Sequence, residues 1–314
     1  MINDNEFDNE SSDEDELKLQ RTTYKSAKLP PVGCRDNVEP RDCEQLCHNG
    51  TCEIRAVIIL PNTTNATTNP IASKIHATLQ RVLPVMELAR RDIKKSNLIP
   101  KWLNFKWYPR DDHCHASWAT IAAIDGYDNC SHVMFGPICE YGLAAVGRIA
   151  KYFGFSGTPL ITVGGLSFDF QKPKLTCDEE YYMNIRVGTL AFKDVSRFLL
   201  ALIKRFEWNK LVLLYETDGH AEVAGMFTCY LMMKTFLEDL KTIPEFYRHN
   251  VDLKAASKTS NMTDILEREI GNTYGVIIMC ADMYMVRNIM LSAGELNMTS
   301  SGEYIFFNLD LDNR

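Results

Sequence analysis

The 314-residue chain has no apolar run of about twenty residues, so nothing in it is long enough to cross a bilayer as a helix. It has no basic stripe and no zinc-finger spacing, and so no footprint for nucleic acid. Gly-x-Ser-x-Gly and the P-loop are missing, and Gly164-Gly165 lacks a following helix with a third glycine. That leaves neither a hydrolase elbow nor a dinucleotide fingerprint. The first residues are acidic and polar rather than basic and then apolar, so they do not read as a signal peptide. Apolar residues at 46% and charged residues at 24% exclude a disordered or fibrous chain, and the length allows two domains, each with its own core. Much of the net charge of −7 comes from Asp4, Glu6, Asp8, Glu10, Asp13, Glu14, Asp15 and Glu16.

Two features are abundant instead. The chain carries ten cysteines and seven Asn-x-Ser/Thr sequons, at Asn9, Asn49, Asn62, Asn65, Asn129, Asn261 and Asn297. Both point to an oxidising, extracellular setting. A cytosolic chain with reduced, buried cysteines is the alternative. The sequence predicts an ectodomain whose signal sequence lies upstream, and whose membrane span lies downstream, of the residues given.

Three parts follow from composition and periodicity. Residues 1–53 lack periodicity and are rich in charge, Pro and Cys: a disordered acidic tail, then a cysteine-rich linker. Residues 54–165 alternate strand and helix, starting from the buried run Ala56-Val57-Ile58-Ile59-Leu60. Pro84 sits inside the first helical stretch and either kinks that helix or marks its start. Residues 166–314 repeat the scheme, including one long helix over 223–240. The expected fold is α/β: two doubly wound parallel-sheet lobes forming a clamshell, with ligands in the crevice at the carboxyl ends of the strands.

No catalytic constellation stands out, and the chain is not expected to be an enzyme. Asp111-Asp112-His113-Cys114-His115 is the densest ligand-like cluster, but its sulfur is better used in a disulfide. Cys43, Cys47 and Cys52 with His48 have the wrong spacing for the common zinc patterns, so no metal is assigned. Cys114 follows one strand and Cys139 the next strand of the same sheet, near enough for a bridge worth roughly 3 kcal/mol. Cys229 stands early in a helix and Cys280 ends a strand; spacing alone leaves Cys229 equally readable as a buried thiol.

The most informative stretch runs Phe135-Gly136-Pro137-Ile138-Cys139-Glu140-Tyr141-Gly142 and reads as strand, tight turn and helix start. It resembles the Gly-Pro-x-Cys-x-Tyr junction of the natriuretic peptide receptor branch of the receptor guanylyl cyclases. Four further segments are similar to that family: Ala144, Ala145, Val146 and Arg148; Pro159-Leu160-Ile161-Thr162-Val163-Gly164-Gly165; Glu180-Tyr181 leading to Arg186-Val187-Gly188; and Gly302-Glu303-Tyr304-Ile305-Phe306-Phe307-Asn308-Leu309-Asp310.

The resemblance implies a type I periplasmic-binding-protein-like ligand-binding region, incomplete at its C-terminal side and devoid of the cyclase. It implies a peptide hormone as ligand, a homodimer, and a place on the extracellular side of the plasma membrane. It also implies the bridges Cys114–Cys139 and Cys229–Cys280. Tyr141, Arg148 and Glu140 are the expected ligand-binding residues, with an aromatic at the helix mouth as the anchor. Backbone N–H groups of Ile138 and Cys139 are the expected chloride site, although Ile138 replaces the family's glycine; no other cofactor is expected. Ala116 stands where the family has an acidic residue. Cys130 and Cys177 have no family counterpart and are expected to bridge each other, since one precedes a strand and the other follows its neighbour. Asn62, Asn65, Asn129, Asn261 and Asn297 are the expected glycan sites. The alternative is a clamshell receptor for a small molecule such as an amino acid, which would need Ser/Thr and an arginine where the junction offers Cys139, Glu140 and Tyr141.

Overall fold

The computed structural model describes residues 34, 43, 46–62, 75–154, 157–188, 191–243 and 246–311. The acidic stretch, Asn9 and Asn65 lie outside them.

The first sheet begins with a hairpin, β1 (Cys47–His48) and β2 (Thr51–Leu60), whose turn carries Asn49 and Gly50 at positive φ. The apolar half of β2 is the centre of the lobe, pairing in parallel with β3 (Leu103–Asp111) on one side and β4 (Val133–Phe135) on the other. β5 (Leu160–Thr162) and β6 (Asn184–Arg186) extend the sheet, also in parallel. Continuous burial of residues 56–60 follows from this central place, where both faces of the strand are covered.

Side chains alternate across the sheet. Val57 and Ile59 meet α2 (Ala116–Asp128) and α3 (Glu140–Ala150), while Ile58 and Leu60 meet α1 (Leu79–Lys95). α1 runs through Pro84 from a start at Leu79. Pro84 is exposed, and its ring nitrogen supplies no N–H to the helical ladder. Beside α1 the sheet leaves an apolar cavity of about 480 Å³, walled by Val82, Met86, Phe105, Trp107, Phe135 and Val163.

The second sheet has the order β10-β9-β7-β8, all parallel: β7 (Lys210–Tyr215), β8 (Tyr247–Asp252), β9 (Val276–Cys280) and β10 (Ile305–Asn308). α4 (Phe192–Arg205) and a helix at Thr228–Leu240 pack on one face, and helices at Met262–Glu269 and Met283–Glu295 on the other.

Two expectations about the elements change. The helix over 223–240 is broken into α5 (Ala221–Ala224) and α6 (Thr228–Leu240), because Gly225 and Phe227 between them adopt positive φ, +87° and +65°. The sheets do not change over at residue 165, since β6 at 184–186 still belongs to the first sheet and α4 opens the second lobe. A three-residue strand is too short to show a period of its own.

All ten cysteines are bonded. Cys114–Cys139 and Cys229–Cys280 are present, with Cα atoms 5.5 and 5.4 Å apart. The expected Cys130–Cys177 bridge is not: Cys130 bonds Cys43, Cys177 bonds Cys34, and Cys47 bonds Cys52 across the hairpin. The bridges therefore strap Cys34 and Cys43 onto the first lobe, a pairing that no separation along the chain could reveal. Peptide mapping of the unreduced chain should recover Cys34–Cys177 and Cys43–Cys130 as linked peptides. A Cys130–Cys177 pair would refute the strap.

Candidate functional site at the lobe junction

The site is built on the turn from β4 into α3. Gly136 has φ +87°, and a Cβ there would lie 2.1 Å from the Ile59 carbonyl oxygen, so no other residue fits without moving β2. The Gly136-Pro137 peptide is cis. The Pro137 carbonyl accepts from the Thr162 hydroxyl at 2.6 Å, and that hydroxyl accepts from the Gly164 N–H at 2.9 Å. Gly164 in turn presses on Ile138, where a Cβ would come within 2.5 Å of the carbonyl oxygen. The ends of β4 and β5 are thus knitted together, and Ile138 and Cys139 are buried beneath them.

Asp111 and Asp112 close the same end of the sheet. Asp111 Oδ1 accepts from the N–H groups of Asn62 and His113, and His115 Nδ1 caps α2 by accepting from the Ser117 N–H. The ligand-like cluster is thereby engaged locally. Asp112 is fully buried, with Oδ1 accepting from the Cys114 N–H at 3.0 Å and Oδ2 lacking a partner among the described residues. Desolvation pushes its pKa up to about 7, against a smaller lowering by the Cys114 N–H.

Tyr141 stands at the mouth, 48% exposed, and its ring meets Phe227 of the second lobe at 5.3 Å, edge-on. Phe227 reaches Tyr230 at 6.4 Å, and Tyr230 reaches Tyr215 at 6.1 Å. An aromatic row therefore runs from α3 to the end of β7. Burial, then the neighbouring Tyr230 and Glu140, raise the Tyr141 pKa. Beside this contact the Cys114–Cys139 bridge lies against Gly225, where a Cβ would be 2.7 Å from Cys114 Sγ. The helix break that periodicity did not show is where the second lobe meets the first lobe's disulfide.

The other expected ligand-binding residues are placed differently. Glu140 is 3% exposed and points inward, accepting from the N–H groups of Leu166 at 2.6 Å and Ser167 at 3.4 Å. It cannot touch a ligand at the surface; the first position of a helix leaves its side chain free to turn back onto a neighbouring loop. Desolvation raises its pKa despite those donors. Arg148 is half-exposed at the far end of α3, paired with Glu180, 5.4 Å over the Tyr181 ring and donating to the Ala144 carbonyl. The Glu180-Tyr181 motif is thus the partner of Arg148, and neither joins the Tyr141 row. Phe227, Tyr230 and Tyr215 have no signature in the sequence, since lone aromatics in a separate lobe carry no local signal.

Among the sequons, Asn49, Asn261 and Asn297 are exposed, while Asn62 and Asn129 are partly buried. Asn129 Nδ2 donates to the Asp125 carbonyl at the end of α2, and Asn261 caps the helix at Met262–Glu269. His220 lies within 4.8 Å of Cys229 and Cys280, but both sulfurs are bonded to each other, which leaves one nitrogen and no metal set.

Residues 81–313 match the family described as the receptor family ligand binding region. The chain belongs to that family. It is 30% identical over 243 residues to atrial natriuretic peptide receptor 3 of Bos taurus, covering 75% of this chain and 42% of that protein. It is 26% identical over 271 residues to the receptor-type guanylate cyclase gcy-28 of Caenorhabditis elegans, covering 74% and 21%. The chain spans about two fifths or less of these relatives' lengths, and the matched region is a ligand-binding region rather than a cyclase domain. In fold it is similar to an ABC transporter substrate-binding protein from Desulfitobacterium hafniense, with TM-score 0.54 at 12% identity, covering 82% of this chain and 66% of that one. The expected periplasmic-binding-protein-like architecture is therefore present.

Two outcomes test the local physics. Gly136→Ala should destabilise the chain by about 2 kcal/mol or more, read from chemical unfolding, because both the positive φ and the Ile59 carbonyl oppose a Cβ. Asp112 has a folded-state pKa above its unfolded value, so the folded form favours its proton. The contribution of Asp112 to stability should be greatest near pH 4 and fall as pH rises to about 7. Asp112→Asn should flatten that slope and, near pH 8, be more stable than wild type by up to about 4 kcal/mol. A variant that keeps the wild-type slope would assign it to another group.

Proposed function

We propose that this chain is the extracellular ligand-binding region of a natriuretic-peptide-receptor-like protein, and that Tyr141 at the lobe junction anchors a peptide hormone. The observation that carries the reading is the half-exposed Tyr141 ring set edge-on against Phe227, which offers an aromatic platform contributed by both lobes. A large ring with one polar tip is the kind of side chain that dominates peptide interfaces. Glu140 turns inward and Arg148 is held by Glu180, so neither is offered to the ammonium or carboxylate of a free amino acid. The fully bonded cysteines and the absence of a buried sequon asparagine among the described residues support an oxidising, extracellular setting.

A homodimer belongs to the same reading. The outer face of α2 presents Trp118, Ile121 and Ile124, each more than two fifths exposed, as an apolar stripe suited to a second copy.

Titration of the oxidised chain with atrial natriuretic peptide as the probe tests the anchor. Tyr141→Ala should weaken binding by more than about 1 kcal/mol while leaving the thermal midpoint nearly unchanged. No binding by the wild-type chain would defeat the peptide reading, and unchanged affinity or an equal loss of stability in the variant would remove Tyr141 from it.

A further inference from the structure

The first three residues that emerge from the β4–α3 turn each meet the second lobe by a different kind of contact. Cys139, through its bridge to Cys114, abuts Gly225; a Cβ on that glycine would be 3.3 Å from Cys139 Sγ. Tyr141 meets Phe227 ring to ring. Between them, Glu140 accepts the N–H groups of Leu166 and Ser167. Leu166 is not a first-lobe core residue. It is buried in the second lobe's cluster with Phe192, Leu199 and Leu213, and its carbonyl accepts the Phe192 N–H at 2.9 Å, at the start of α4. One side chain therefore joins the helix that carries Tyr141 to the backbone that enters the second lobe's core.

We propose that Glu140 is a positioning residue that couples the Tyr141 surface to the placement of the second lobe. The ligand-facing role of that surface rests on the function proposed above; the coupling itself rests on the contacts.

A carboxylate is a costly choice here. A buried anion loses its hydration, and the described partners of Glu140 are N–H and hydroxyl donors of residues 165–167 rather than a cation. Three features reduce that cost. The two oxygens accept from two successive N–H groups, which an apolar side chain would leave unpaired in a buried place. The group stands in the first turn of α3, where the helix end favours negative charge. Hydrogen bonds to a charged acceptor are the stronger, more directional kind. A purely space-filling role would require none of these. The arrangement fixes the angle between α3 and residues 164–167, and with it the distance between Tyr141 and Phe227.

Amide hydrogen exchange on the full oxidised chain, at one pH and without peptide, tests the coupling in wild type, Glu140→Gln and Glu140→Ala. In the Ala variant the Leu166 and Ser167 amides should exchange about tenfold faster. The Gln variant, which keeps one acceptor, should fall between. The deciding readout is the Phe227 amide, which Glu140 does not contact and which Asp218 accepts at 3.3 Å. It should accelerate in the same order while the Leu143 and Val146 amides of α3 keep wild-type protection. Acceleration confined to 166 and 167, or a uniform rise through α3 and the first sheet, would overturn the proposal, the latter showing general loosening. If the Ala variant does not fold, the Gln variant against wild type decides by the same pattern: Phe227 accelerated with α3 protected supports the coupling, and any other pattern overturns it. Because no peptide is present, failure here leaves the Tyr141 binding test standing, and failure of that test leaves this one readable.

Discussion

Backbone-to-backbone approach at the end of β4 holds the junction together. Gly136 lies against Ile59, and Gly164 lies against Ile138, at distances that leave no room for a Cβ. Those approaches bring the ends of three neighbouring strands to one point and direct the opening of α3. The disulfide to Cys114, the aromatic platform and the contact with the second lobe all start from residues within five positions of Gly136. A fold of this class gathers ligands where strand ends meet helix starts, and here that meeting is made tight enough to touch a second lobe as well.

Charge is handled unusually at this junction. Asp112 and Glu140 are both buried, and both rely on backbone N–H groups for stabilisation. Desolvation wins over those hydrogen bonds in each, so each holds its proton to higher pH than a solvated carboxylate would. They differ in what they join. Asp112 folds back onto its own loop, whereas Glu140 spans to a segment that belongs to the other lobe's core. By contrast Arg148, half-exposed and paired with Glu180, is an ordinary surface ion pair of small energetic weight.

Part of the site is legible in the chain alone. The turn, the helix start and Tyr141 at the mouth follow from local chemistry: Gly-Pro forces a turn, and a first-turn aromatic whose neighbours Leu143 and Val146 fill the core must face away from it. The inward turn of Glu140 is not legible, because it depends on N–H groups 26 and 27 residues away. Nor is the capture of Arg148 by Glu180 and Tyr181, although all three stand in segments that resemble the family. The helix break at Gly225 and Phe227 is hidden because the apolar pattern runs through it unbroken; it rests on two positive-φ residues, and the close approach of Gly225 to the first lobe's disulfide is a tertiary contact.

The sequence by itself determined the class of fold, the alternation of strand and helix, and the oxidised state expected of a cysteine-rich, sequon-rich chain. These are properties of period and composition, which each segment carries alone. Only the tertiary structure decided which cysteines meet, where the first sheet ends, and which aromatics join Tyr141. Cys34 reaches Cys177 across 143 positions and Cys43 reaches Cys130 across 87, in preference to the nearer pairing that the strand order suggested. A bridge needs Cα atoms within about 7 Å and a ring contact needs ring centroids within about 7 Å, and that proximity is set by the packing of the lobes rather than by anything written along the chain.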